Sequence, residues 1–263
     1  MRGRNERTKR GGERVGREDN GWHHISDRLA AVAARIPPGR VVADIGSDHG
    51  LLLIFLARQG DLKQGIAGEV NRGPFENACR RIKTQGLTGQ VEVRLGDGLS
   101  VLRRDEADVV VLAGMGGVLI SSILSRGQDR LHGVERLVLQ PNNNGDRVRA
   151  WLLDHGWEID GEDLVKEGGI LYEIISARQG DARSPYKGLP LTHEQALQLG
   201  PLLWRDRHPL LGEKVREELQ GLNRILAGLQ SARSPEAARR REEMNARRRQ
   251  WEEVQSWLSE ERI

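Results

Sequence analysis

The sequence predicts an α/β chain, with a mostly parallel, helix-covered sheet followed by an α-helical, coiled-coil-like unit. Three observations carry this. Short apolar runs such as Val109-Val110-Val111-Leu112-Ala113 suit strands buried on both faces of a parallel sheet. Segments of helical length separate these runs, as parallel crossovers require. Beyond Gly180 the apolar residues switch to a spacing of four and three, the period of packed helices.

Each element follows in chain order. Residues 1–20 are charged, glycine-containing and almost free of apolar side chains, which predicts a basic, poorly ordered tail. Residues 21–180 form the sheet domain. Its first helix lies in "ISDRLAAVAARIPPG", where Ser26 caps the start and Pro37-Pro38-Gly39 stops it. Strands are predicted at 41–45, 65–70, 91–95, 107–114 and 136–141. The segments 157–167 and 169–177, meeting at Gly168-Gly169, read as a terminal antiparallel hairpin. Residues 181–263 form the helical unit, which begins with the linker "ARSPYKGLPL". Leu211, Val215, Leu219, Leu222, Leu226 and Leu229 mark its first helix. Met244, Trp251, Val254 and Leu258 mark its second, with Pro235 in the turn between them.

Composition narrows the class. The chain has 263 residues, 37% hydrophobic and 30% charged, enough for one large domain with an appendage. A single cysteine, Cys79, excludes a disulfide framework and a multi-cysteine metal site and points to a reducing, cytoplasmic compartment. No apolar run approaches the ~18 residues of a membrane span. The basic N-terminus lacks the apolar segment of a secretory signal. An aromatic content of 4% argues against an aromatic RNA-stacking platform. A formal net charge of +3 admits a nucleic-acid partner without requiring one. A monomer and a weak dimer both stay open.

Ligands of a parallel sheet bind beyond the carboxyl ends of its strands. "VVADIGSDHG" brings Asp44, Gly46, Ser47, Asp48, His49 and Gly50 to such an end. Glu69 and Val70 close the second strand, and Asp97 and Gly98 follow the third. Gly114, Met115 and Gly116 close the fourth, and Asn142 and Asn143 follow the fifth. Glu69 suits the ribose hydroxyls of S-adenosyl-L-methionine, Asp97 suits its adenine amino group, and the glycines let the backbone come close. The strict G-x-G-x-x-G pyrophosphate fingerprint is absent, which favours this cofactor over a dinucleotide. Plainer readings stay open. Aspartates after strands turn the chain or cap helices, and Gly-Met-Gly-Gly and the asparagines make tight turns. Met115 suits a core, and His49 packs as readily as it touches RNA. No metal-ligand cluster is visible, and methyl transfer needs none.

The blocks "ISDRL", "ADIGSDHG", "GEVNRGPF", "VRLGDGL", "AGMGG", "ERLVLQPN" and "YEII" resemble the TrmK family of bacterial tRNA methyltransferases, which modify N1 of the adenosine at tRNA position 22. The resemblance runs from about Ile25 into the C-terminal helices. It implies a class I Rossmann-like methyltransferase domain with a coiled-coil C-terminal domain, S-adenosyl-L-methionine as cofactor, and tRNA as partner. It also implies a catalytic role for Asp48. Cofactor contacts are then expected from Asp44, Gly46, Ser47, Gly50, Glu69, Val70, Asp97, Gly98, Gly114 and Met115. Substrate contacts are expected from His49, Gly116, Asn142 and Asn143. The chain departs from the family just after the first loop, with Leu51-Leu52-Leu53 where a Tyr-Leu-Pro stretch is usual. Enzymes that methylate exocyclic amino groups often carry Asp/Asn-Pro-Pro-aromatic at the fourth strand end. Gly114-Met115-Gly116-Gly117 stands there instead, which favours a ring nitrogen.

Adenine N1 presents an in-plane lone pair and needs no general base. Its methylation spreads positive charge over the ring. A fixed carboxylate at Asp48 would stabilise that charge and accept a hydrogen bond from the base amino group. A cofactor contact and a helix cap are the other two readings of Asp48. Two rival functions remain. One is a methyltransferase with the same cofactor acting on another RNA, a protein or a small molecule. The other is a non-catalytic RNA-binding module. Asp44, Glu69 and Asp97 weigh against the second. The run "EAARRREEMNARRRQ" weighs mildly against a small-molecule or protein substrate, although such runs are usually solvated faces.

Overall fold

In the computed structural model, which describes residues 25–230 and 234–260, the chain builds one seven-stranded sheet in the order β3-β2-β1-β4-β5-β7-β6. The strands are β1 (Arg40–Ile45), β2 (Leu62–Glu69), β3 (Val91–Leu95), β4 (Val109–Met115), β5 (Arg136–Pro141), β6 (Trp157–Glu167) and β7 (Ile170–Gln179). The helices are α1 (Asp27–Ala33), α2 (Leu51–Gln59), α3 (Arg72–Thr84), α4 (Gly117–Arg126) and α5 (Gly145–Asp154), then α6 (His193–Leu199), α7 (Pro201–Arg205), α8 (Leu211–Leu229) and α9 (Pro235–Glu260). The predicted tail at 1–20 lies outside the described residues.

β1 to β5 pair in parallel, and β7 runs antiparallel between β5 and β6. Each predicted strand lies within or beside an observed one. The second starts earlier, at Leu62, and Val70 falls beyond its end. Ser26 caps α1 as expected, its side chain accepting from the Leu29 amide. Successive residues of β4 point to opposite faces, and both faces are covered. Val109 and Val111 join Leu52, Leu53 and Ile82, whereas Val110 and Leu112 join Ile120, Leu124, Leu139 and Leu152.

α8 and α9 form the predicted pair of helices. Leu211, Val215 and Leu219 from the start of α8 meet Trp251 and Val254 from the end of α9, so the two run antiparallel. Two further helices, α6 and α7, fill what the sequence reading leaves between linker and hairpin. Thr192 and Gln195 close a capping box on α6, which is a readable local signal. At seven and five residues, the two helices are too short to show a period.

The packing crosses residue 181. Leu164 and Leu171 of the β6–β7 hairpin enter the core of the helical unit. Beside them Arg149 of α5 is fully buried. Its Nε pairs with Glu162 and its Nη2 with Glu173, each at 2.6 Å, while Nη1 donates to the Leu197 carbonyl at 3.0 Å. Lys214 of α8 reaches the same Glu173 oxygen at 2.8 Å and donates to the Leu199 carbonyl at 3.0 Å. The second Glu162 oxygen accepts from the Leu202 amide at 2.8 Å. Burial would raise the Glu173 carboxyl, but Lys214 and Arg149 outweigh it and hold the group down at about 2. Burial pulls the Lys214 ammonium down, with Glu173 opposing.

An acid-stability prediction follows from the depressed Glu173 carboxyl. The folded value, about 2, lies below the ordinary 4.5, so this stabilisation is complete above that ordinary value and is lost as pH falls through the folded one. Glu173→Gln should flatten the loss of unfolding free energy between those limits. Urea unfolding of both proteins at several acidic pH values checks this, and parallel slopes would count against the cluster.

Candidate active site

β1 lies between β2 and β4, where the winding of the sheet reverses and a crevice opens beyond the strand ends. Asp44 is buried on β1 at this point. The chain then turns back sharply. Gly46 has φ +72°, and a Cβ there would run into the methyl group of Met115 at the end of β4. Its amide donates to the Gly68 carbonyl at 2.8 Å. Asp48 opens a short 3₁₀ turn, Asp48–Gly50, in which His49 is left-handed at φ 71°. A non-glycine residue in that region marks a constrained loop. The N-cap residue of α2 is Gly50. Leu51, at the family's tyrosine position, opens α2 half-buried, and Leu52 and Leu53 belong to the core.

Glu69 and Ser47 are buried side by side, the Ser47 hydroxyl donating to Glu69 Oε1 at 3.4 Å. Val70 next to them is exposed. Asp97 lies past β3, and Arg126, the last residue of α4, donates to its carboxylate at 2.8 Å. A cavity of about 270 Å³ opens there, lined by Asp97, Gly98, Leu99, Ile123 and Arg126 among others. A larger one, about 770 Å³, lies against the helical unit, between Lys187, Trp204, Arg216 and the end of α9. It holds none of the candidate cofactor or substrate residues.

The ends of β4 and β5 are locked by side chains. Gln140 is fully buried, and its Oε1 accepts from the Gly114 amide at 2.9 Å and from Arg28 Nη1 at 2.6 Å. Its Nε2 therefore faces Asn142 Oδ1, at 3.1 Å, and Asn142 Nδ2 donates to the Gly114 carbonyl at 2.8 Å. Both backbone polar groups of Gly114 are thus held by side chains of one neighbouring strand end. Arg28 sits 5.4 Å from the centre of the Tyr172 ring and 3.8 Å from Glu167. Gly116 precedes α4, and a Cβ at Gly117 would strike the Asn144 carbonyl. The Gly117 amide donates to the Asn143 carbonyl at 2.9 Å.

The first loop, Gly114–Gly116 and Asn142–Asn143 are therefore joined by direct contacts, with Glu69 bound to the loop through Ser47. Asp97 and Gly98 form a separate lobe closed by α4. Sequence reasoning missed Arg28, Gln140 and Arg126 as parts of the site. Gln140 lies 112 positions from Arg28 and Arg126 lies 29 from Asp97, so no local spacing links them. Among the described residues no group of three or more His, Cys, Asp or Glu is arranged to hold a metal.

This arrangement fits a nucleoside-bearing cofactor. Two buried acids lie at neighbouring strand ends, and the turn beside them has no room for a side chain. Comparison with known proteins points the same way. The family model for TrmK, tRNA (adenine(22)-N(1))-methyltransferase, matches residues 42–253. The tRNA (adenine(22)-N(1))-methyltransferase of Bacillus subtilis strain 168 is 39% identical over 212 residues, which are 81% of this chain and 88% of that protein. The crystal structure of the B. subtilis enzyme superposes with a TM-score of 0.83 at 36% identity, covering 89% of this chain and 99% of that one. A Streptococcus pneumoniae structure in complex with S-adenosyl-L-methionine gives 0.77 at 35% identity, covering 88% of this chain and 100% of that one.

The Gln140 network generates a second prediction. Gln140→Leu keeps the volume but takes from the Gly114 amide and from Arg28 the acceptor they share. The substitution should cost about 0.5–1.5 kcal/mol of unfolding free energy, the net worth of one such hydrogen bond, and weaken cofactor binding. Denaturation and calorimetry read the two effects, and a variant of wild-type stability would show that the amide finds another acceptor.

Proposed function

Because the chain belongs to the TrmK family of tRNA (adenine(22)-N(1))-methyltransferases, we infer that it methylates N1 of adenosine 22 in tRNA, using S-adenosyl-L-methionine. The carrying observation is the family match over residues 42–253, which takes in all five parallel strand ends and most of the helical unit. The cofactor supplies an electrophilic methyl group when bound. The chain's own residues do the rest. The Glu69 carboxylate accepts hydrogen bonds from the ribose hydroxyls, with Ser47 holding its other side. Asp97 accepts from the adenine amino group, and Arg126 fixes the direction of its carboxylate. Asp44, Gly46, Gly50, Val70, Gly98, Gly114 and Met115 line the remainder of the cofactor's bed.

Asp48 follows Ser47 directly in the chain, so its backbone belongs to the same constrained loop. Its carboxylate orients the target base and stabilises the positive charge that grows on the ring as N1 is alkylated. No base is needed, because N1 reacts through a free lone pair. His49 and Gly116, with Asn142 and Asn143, border the place of the target base. Arg239, Arg240 and Arg249 are exposed on α9 and can neutralise RNA phosphates away from the pocket. The partner is tRNA, and the setting is the cytoplasm, where tRNA and the cofactor meet. No helix among the described residues is long and apolar enough to cross a membrane.

Incubation with total tRNA and labelled cofactor, followed by nucleoside analysis, tests the function, and a product other than 1-methyladenosine would refute it. Two variants test the roles. Glu69→Ala should weaken cofactor binding by about 1.5–3 kcal/mol, the worth of hydrogen bonds to a charged group; unaltered affinity by calorimetry removes Glu69 from the site. Asp48→Ala should bind cofactor and tRNA yet turn over at least ~100-fold more slowly. An unchanged single-turnover rate would assign the carboxylate no part in the chemistry.

A further inference from the structure

α4 buries one face completely. Ile120, Ile123 and Leu124 are all in the core, so the helix is packed without help from its first turn. Yet Val118 and Leu119 in that turn are 60% and 49% exposed. They belong to a wider pattern. Val70, just past the second strand, and Leu95, which ends the third, are also exposed, next in the chain to Glu69 and close to Asp97, on the side assigned above to the cofactor. Val118 and Leu119 lie on the other side of the crevice, just past Gly116-Gly117, and that pair touches Asn143 and Asn144. The cofactor residues do not extend there, which leaves the substrate side.

The surroundings favour RNA over a second copy of the chain. The Ser121 hydroxyl lies 2.9 Å from the Gly117 carbonyl of its own helix and 3.1 Å from the Arg147 carbonyl, so the first turns of α4 and α5 are adjacent. The Arg147 guanidinium is exposed, and its carboxylate neighbour Asp146 is a long 3.8 Å away. An apolar pair bordered by an arginine matches a base stack bordered by phosphate. A base methylated at N1 must leave its stack to reach the strand ends, and apolar side chains inserted between bases recover part of the lost stacking.

We propose that Val118 and Leu119 form an apolar wedge that enters the tRNA stack beside the target adenosine and holds open the gap the base leaves. The proposal rests on the assignment as a tRNA methyltransferase and names the surface that makes the target base available. Aliphatic side chains do this because the first turn of α4 carries no aromatic residue.

The test uses the full chain and a tRNA with 2-aminopurine at the target position, a base whose fluorescence rises on unstacking. With S-adenosylhomocysteine present, wild-type protein should raise the fluorescence. The double variant Val118→Ser/Leu119→Ser should keep its melting temperature, its cofactor affinity and saturable tRNA binding. Its fluorescence gain, and its single-turnover methylation of unlabelled tRNA, should fall ~10-fold or more. Leu119→Met, which keeps an apolar wedge, should retain both. A wild-type fluorescence gain in the double variant overturns the proposal. So does a matching loss of cofactor affinity, which would place the pair in the cofactor bed, or conversion of a wild-type dimer into a monomer, which would make it a self-interface. If the wild-type protein methylates no tRNA at all, the assignment of function fails instead.

Discussion

The hydrogen-bonded register of β1 against β4 sets where everything else can sit. Val42 to Ile45 pair in parallel with Val109 to Leu112, so both strands run out toward the same edge. β1 also pairs with β2 on its other side, and the chain beyond β1 must turn away between the two. Little space is left at that point. Gly46 meets the methyl of Met115, so the loop accepts no side chain there, and a left-handed backbone is the only way through. Ser47 and the backbone of Asp48 and His49 inherit their positions from that turn.

Two electrostatic arrangements serve opposite ends. Arg149, Glu162, Glu173 and Lys214 are enclosed, and the hydrogen bonds to Leu197, Leu199 and Leu202 satisfy the groups that the ion pairs leave over. Such a cluster specifies one arrangement, because leaving out a single partner strands a buried charge. It lies where α5, the β6–β7 hairpin and α8 meet, so it seats the helical unit on the sheet domain. α9, with its arginines, packs on α8 through Trp251 and Val254. Asp97 and Arg126 are different. Both side chains are more than half exposed, at 60% and 55%, so water screens the pair and its net worth is small. An arrangement of that kind lets Asp97 take a ligand without losing a strong partner.

The wall between β4 and β5 shows how little of a site needs to be charged. One buried glutamine amide decides which way Asn142 faces and holds both backbone groups of Gly114. Arg28 completes it from α1, a helix that precedes the sheet in sequence. The strand-end wall therefore draws one of its hydrogen bonds from a helix outside the strand-end loops.

Much was legible in the residues themselves. Apolar runs fixed the parallel strands because both faces of such strands are buried, and the strand-end acids and glycines stood out because a ligand crevice needs them there. The four-and-three spacing marked α8 and α9. The resemblance of the "DIGSDHG", "AGMGG" and "LQPN" blocks named the family. Other features are set by contacts between segments far apart in the chain. α6 and α7 are too short for a period, although a capping box marks the start of α6. Arg28 and Gln140, Asp97 and Arg126, and Arg149 and Lys214 meet only once the sheet is wound. A local pattern records what each residue needs, burial or water or a free backbone. Which distant residue meets that need is decided by the crossing of the strands, and only the tertiary structure contains it.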